Sequence, residues 1–84
     1  MDKNTSELLS RITAISGLCG GRPTIRGMRI RVLDILEMLG SGMTETEILE
    51  DFPYLESEDI KASLFYAAKR LEEPVVYANY TDAV

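Results

Sequence analysis

The chain has 84 residues, a net charge of −5, one cysteine, no histidine and an apolar fraction of 45%. A chain of that length buries about 60% of the surface its unfolded form exposes, so it makes one small domain whose core gains from association with a second copy. The missing histidine removes the commonest general base and every Ser–His or Cys–His pair, the single cysteine excludes an intrachain disulfide, and no run reaches the roughly 20 apolar residues of a membrane span.

The charge is segregated. Residues 1–31 carry six basic side chains against two acids, and residues 32–84 carry three against twelve. Two surfaces with different partners, or two halves that attract each other, follow equally well from that split.

Residues 1–10 (MDKNTSELLS) are polar, with Leu8 and Leu9 as their only apolar anchors, and read as a frayed end or a short helix. They hold no apolar signal region, which points to the cytoplasm. Residues 11–15 alternate in the manner of a short strand, and 16–21 read as a loop. Residues 22–25 and 28–30 read as two short strands around an Arg26-Gly27 turn, a basic hairpin. Val32, Ile35, Leu36 and Leu39 then follow helical spacing, and Gly40-Ser41-Gly42 stops that helix with a glycine able to take the left-handed cap. Thr44 and Glu47 form a capping box, with Met43 and Ile48 placed as a hydrophobic staple, so a second helix covers 45–51. Phe52-Pro53 ends it. Ser57 is read as the cap of a third helix, with Glu58 and Asp59 in its first turn, Lys69 and Arg70 in its last, and Ile60, Leu64, Ala67, Ala68 and Leu71 as its core stripe. Pro74 closes the element. The tail, 74–84, is apolar and aromatic through Val75, Val76, Tyr77 and Tyr80. The organisation is thus an N-terminal segment (1–10), a hairpin plus helix-turn-helix-like domain (11–73) and a tail (74–84).

The chemistry points to binding. Glu50-Asp51 and Glu58-Asp59 are neighbours on helices, so their carboxylates diverge and read as solvated or capping acids. Cys19 reads as a partly buried thiol. Gly20-Gly21 lacks the spacing of a phosphate-cradling loop and reads as a turn. A metal site needs a ligand cluster this sequence lacks, and no cofactor is expected. Arg22, Arg26, Arg29 and Arg31 have two readings. In a dimer they double into a basic strip for phosphates; alternatively they pair with the acids of the second and third helices. The leading edge of the third helix, Ser57, Glu58, Asp59 and Lys61, is acidic where a helix-turn-helix reader meets DNA. The arginines are therefore the better nucleic-acid candidates. Phe65 and Tyr66, beside the core stripe, are the candidate dimer residues, and the tail is the candidate partner-binding strand.

The segment CGGRPTIRGMRI, followed by VLDILEMLGSGMTETEILEDFPYLESEDIKASLFYAAKR, resembles the family known as domain of unknown function 433. Leu18, Cys19, Gly20, Gly21, Arg22, Pro23, Ile25, Arg26, Gly27, Arg29 and Ile30 carry the first part of the likeness. Gly42, Met43, Glu47, Ile48, Leu49, Phe52, Pro53, Leu55, Glu58, Asp59, Ile60, Tyr66, Ala67 and Ala68 carry the rest. Arg31 stands where the family commonly has proline, and Met28 where it has threonine. The resemblance implies a small dimeric domain with a helix-turn-helix-like core. It also implies a role as antitoxin of a bacterial type II toxin–antitoxin pair whose toxin is a PIN-like ribonuclease.

The expectation is a mainly α fold: a three-helix helix-turn-helix-like core with a short N-terminal β-hairpin, assembled as a homodimer. The leading function is an antitoxin-like protein that holds its toxin through the tail or acidic face and represses its own operon through the hairpin arginines. A DNA-binding regulator without a toxin is the alternative, followed by an orphan dimeric interaction module. An enzyme is not expected.

Overall fold

The computed structural model describes residues 3–72. Val75, Val76, Tyr77 and Tyr80 of the tail lie outside the described residues. The elements in order are α1 (Lys3–Leu9), β1 (Ile12–Thr13), β2 (Thr24–Ile25), α2 (Val32–Gly40), α3 (Glu45–Asp51) and α4 (Ser57–Leu71). The fold is mainly helical with a short antiparallel hairpin near its N-terminus. Residues 1–10, read as a frayed end or a short helix, contain α1, which lies along α4 and buries Leu8.

The hairpin differs from the one expected. The Arg26-Gly27 turn forms, with both residues at positive φ (+46° and +72°) and the Met28 amide donating to the Ile25 carbonyl at 2.8 Å. Positive φ at both central residues matches the twist of paired strands. Yet the strand partner of β2 is β1, in the register Ile12–Ile25 and Thr13–Thr24. The chain after the turn contributes a single bridge between Thr24 and Arg31, flanked by the Ile25 amide donating to the Ile30 carbonyl at 3.1 Å and the Val32 amide donating to the Pro23 carbonyl at 3.0 Å. The reason is length: Arg31 is already the N-cap of α2, so no residues are left to extend a second strand. Thr13 ties the layers together, its hydroxyl 2.9 Å from that of Thr24 while it accepts from the Gly27 amide at 2.9 Å.

The caps explain the helix boundaries. Gly42 sits at φ +101°; its amide donates to the Leu39 carbonyl and the Met43 amide to the Met38 carbonyl, both at 3.1 Å. This paired closure needs a left-handed residue, which glycine adopts without strain. At the start of α3 the Thr44 hydroxyl accepts from the Glu47 amide at 3.1 Å, and the Glu47 carboxylate accepts from the Thr44 amide at 2.8 Å. Those two bonds hold the Glu47 carboxyl below its ordinary pKa, the backbone bond first. Thr44 is exposed, so Thr44→Ala removes the cap without removing packing. It is expected to cost about 1 kcal/mol in urea unfolding, with Thr44→Ser close to wild type.

The core is one cluster: Ile25, Ile30, Val32, Ile35, Ile48, Leu55 and Ile60. It lies where the hairpin, α2, α3 and the first half of α4 meet. Two expectations for α4 are corrected. The N-cap is Glu56, not Ser57; Ser57 instead hydrogen-bonds through its hydroxyl to Glu45 on α3. The buried face is Asp59, Ile60, Ala62 and Ser63, whereas Leu64 and Leu71 are exposed, Leu71 by 75%, and Ala68 is exposed as well. The buried charge of Asp59 causes the rotation: its partners lie on the core side, so α4 turns that face inward.

Candidate functional site

The Asp59 side chain is fully buried, and a buried carboxylate is tolerated only where donors surround it. Arg26 supplies a fork, Nε to Oδ1 at 3.1 Å and Nη2 to Oδ2 at 2.8 Å. Arg11 donates to Oδ1 at 3.0 Å, and the Glu56 amide donates to Oδ2 at 2.8 Å. Arg11 also reaches the exposed Glu56 carboxylate at 2.6 Å, and Arg26 reaches the Tyr54 carbonyl at 2.8 Å. One carboxylate therefore joins the start of β1, the Arg26-Gly27 turn, the α3–α4 connection and the N-terminus of α4. Burial pushes the Asp59 carboxyl up, but hydrogen bonds from Arg26, the Glu56 amide and Arg11 outweigh it, and the net shift is downward. Arg11 is raised chiefly by its bond to Glu56, and Arg26 by its bond to Asp59. Forked, charge-assisted bonds of this kind fix geometry as well as energy.

The four hairpin arginines are not equivalent. The guanidinium of Arg26 is engaged by Asp59, and that of Arg31 by Asp34, three residues on along the chain. The Arg31–Asp34 pair sits at the start of α2; its hydrogen bonds raise Arg31 and lower Asp34, and Asp34 also accepts from the Arg31 amide at 2.8 Å. Arg22 and Arg29 are exposed and make no ion pair with any described residue. Pairing with the acids of the second and third predicted helices thus describes Arg26 alone; Arg31 pairs instead with Asp34 in the first, and Arg22 and Arg29 present free guanidiniums among the described residues.

Two open grooves flank α2. One, of about 480 Å³, runs between the turn and the α3–α4 connection, past Arg29, Glu37, Met38, Phe52 and Tyr54. Phe52 and Tyr54 meet edge to face there, with ring centres 6.1 Å apart. The other, of about 400 Å³, lies between α2 and α4 and is walled by Leu33, Leu36, Tyr66 and Leu71 with Arg22 at its rim. Phe65 and Tyr66, read together as dimer residues, face different places. Tyr66 lines the α2–α4 groove, while Phe65 lines a smaller pocket of about 330 Å³ beside Thr5 of α1. The acids of α3 make a further surface: Glu50 and Asp51 are exposed without an ion pair among the described residues, as is Glu58 at the start of α4.

Sequence reasoning missed the Asp59 hub, placing that residue among solvated or capping acids. It does cap, but from inside the core. The signal was its position three residues after Glu56, where a side chain can reach back to the N-cap amide. Cys19 is half-buried, as read, and has φ +49°. No three Cys, Asp or Glu side chains among the described residues stand together as a metal-ligand set. No helix among them is long and apolar enough to cross a membrane.

The chain is similar to an uncharacterised protein, y4eO, of Sinorhizobium fredii, with 32% identity over 56 residues. That stretch covers 67% of this chain and spans a quarter (25%) of the length of the curated relative. It is also similar to the crystal structure of a DUF433 member protein from Anabaena variabilis, with 31% identity and a TM-score of 0.71 over 80% of this chain and 66% of that one. The family model described as protein of unknown function (DUF433) matches residues 12–67, a stretch that takes in the hairpin, the Asp59 hub apart from Arg11, α2, α3 and most of α4; the chain belongs to that family.

Proposed function

We propose that this chain is an antitoxin-like binding protein of a bacterial type II toxin–antitoxin pair, acting in the cytoplasm as a homodimer to neutralise a PIN-like ribonuclease. The observation that carries the reading is that Glu50, Asp51 and Glu58 are exposed and make no ion pair among the described residues, in a chain whose residues 74–84 are apolar and aromatic in sequence. A groove shaped to bind phosphates is basic, and an acidic protein surface with an apolar anchor complements it. The sequence supports binding rather than catalysis through its lack of histidine. The residues assigned to the partner are the acids together with Val75, Val76, Tyr77 and Tyr80. Reversing Glu50, Asp51, Glu72 and Glu73 to lysine is expected to weaken a complex with the ribonuclease encoded beside this chain by at least about tenfold, read by titration calorimetry. An unchanged affinity overturns the acidic-face assignment.

The second reading, binding of operator DNA, is favoured by Arg22 and Arg29. Their side chains are exposed on the same segment as the turn and are free of ion pairs among the described residues. Arg22→Ala and Arg29→Ala should each weaken DNA binding across all sequences and lower the salt slope by roughly one phosphate contact. Arg26→Ala and Arg31→Ala should act mainly through stability. The acidic leading edge of α4 leaves the usual base-reading role without support. A flat salt response counts against any DNA role.

A further inference from the structure

We propose that the groove between α2 and α4 is the docking site of this chain's own C-terminal segment, residues 74–82, in the free protein. The groove is apolar and open. Val32 is buried at its floor, Leu36 and Tyr66 are half-buried in its walls, and Leu33 and Leu71 stand 45% and 75% exposed along its edge. Apolar side chains exposed together around one groove are a candidate contact surface. Leu71 is both the most exposed large apolar side chain described and the last residue of α4, so the chain leaves the helix on the rim of the groove. Pro74 follows three residues later. Proline lacks the amide that a helix interior needs and disfavours helical angles in the residue before it.

The segment beyond Pro74 has the composition the groove asks for. Val75, Val76, Tyr77 and Tyr80 are apolar or aromatic, and Asp82 is its only charged residue. Glu72 and Glu73 precede it, so the whole stretch from 72 to 82 is acidic with no basic side chain. The rim carries Arg22, whose guanidinium has no ion pair among the described residues, and Arg70 lines the same groove. Reach is ample. From Leu71 back to Tyr66 is five residues of helix, roughly 7.5 Å at about 1.5 Å each. Nine extended residues span about 30 Å.

The proposal stands apart from the toxin reading, because it concerns the free chain and names a contact within it. The test uses the full chain at low concentration. Nuclear Overhauser contacts are expected between the methyls of Leu33, Leu36 or Leu71 and Val75, Val76 or the tyrosine rings, and they should persist when labelled chains are diluted with unlabelled ones. Chymotrypsin cleavage after Tyr77 and Tyr80, identified by mass, should be about tenfold faster in Leu33→Glu than in wild type, since cleavage tracks the open population. Leu33 is exposed, so that variant keeps its core, which circular dichroism checks. Absence of the contacts, or equal cleavage rates, overturns the proposal. Contacts seen only between differently labelled chains also overturn it and assign the groove to a second copy.

Discussion

Asp59→Ala is expected to destabilise the domain by about 3 kcal/mol, read from the urea midpoint at neutral pH. Removing one partner of a buried ion pair costs 3–5 kcal/mol where the remaining charge stays buried. Here the orphaned charges are Arg11 and Arg26, whose side chains are 27% and 35% exposed and regain water, which places the cost at the lower end. The Glu56 N-cap loses its acceptor in the same substitution. A chain of 84 residues has roughly 4–13 kcal/mol of stability in all, so a loss of this size is a large share. Glu56→Ala is the control. That carboxylate is 54% exposed and pairs with Arg11 at the surface, and its loss should cost under about 1 kcal/mol. The pH dependence has a definite sign. The Asp59 carboxyl lies below its ordinary value of 3.8 in the folded protein, so its contribution is present above that pH and disappears as pH falls through the lower, folded value. Asp34 and Glu47 are depressed too and act in the same direction. Wild type should therefore lose stability steeply below about pH 4, and Asp59→Ala should lose less over the same interval.

Ile35→Ala is expected to be as damaging, at about 4 kcal/mol, with Ile35→Val at about 1 kcal/mol. Ile35 is fully buried at the centre of the α2 face, packed in one cluster with Ile25, Ile48 and Ile60 from three other elements. A cavity there cannot be filled by the motion of one neighbour, because each wall belongs to a different element. If Ile35→Ala proves no worse than Ile35→Val in the same urea series, the site collapses readily and the core is looser than this packing implies.

Much of the fold was legible because its determinants are local. Thr44 and Glu47 are three residues apart and mark the start of α3 by themselves. Gly42 closes α2, and Arg26-Gly27 makes its turn, within six-residue windows. What was not legible is non-local. The partner of β2 is β1, across the loop that holds Cys19 and the glycine pair, and nothing in residues 22–30 announces it. Asp59 looks like any acid in the first turn of a helix until Arg11, 48 positions away, and Arg26, 33 positions away, converge on it. The same convergence decides which face of α4 turns inward, and so leaves Leu64 and Leu71 outside when spacing alone puts them in the core. The arginines illustrate both cases. Their clustering was visible, and Arg31 lies three residues before its partner Asp34, a local spacing; the engagement of Arg26 depends on Asp59, 33 positions away.

The proposed role of this domain is to hold a partner protein. The direct test is to co-express the tagged full chain with the open reading frame adjacent to its gene and to weigh what elutes. A stoichiometric complex is expected, together with growth arrest when the neighbour is expressed alone and relief when both are present. A neighbour that is harmless alone and elutes separately, while this chain remains folded, would contradict it.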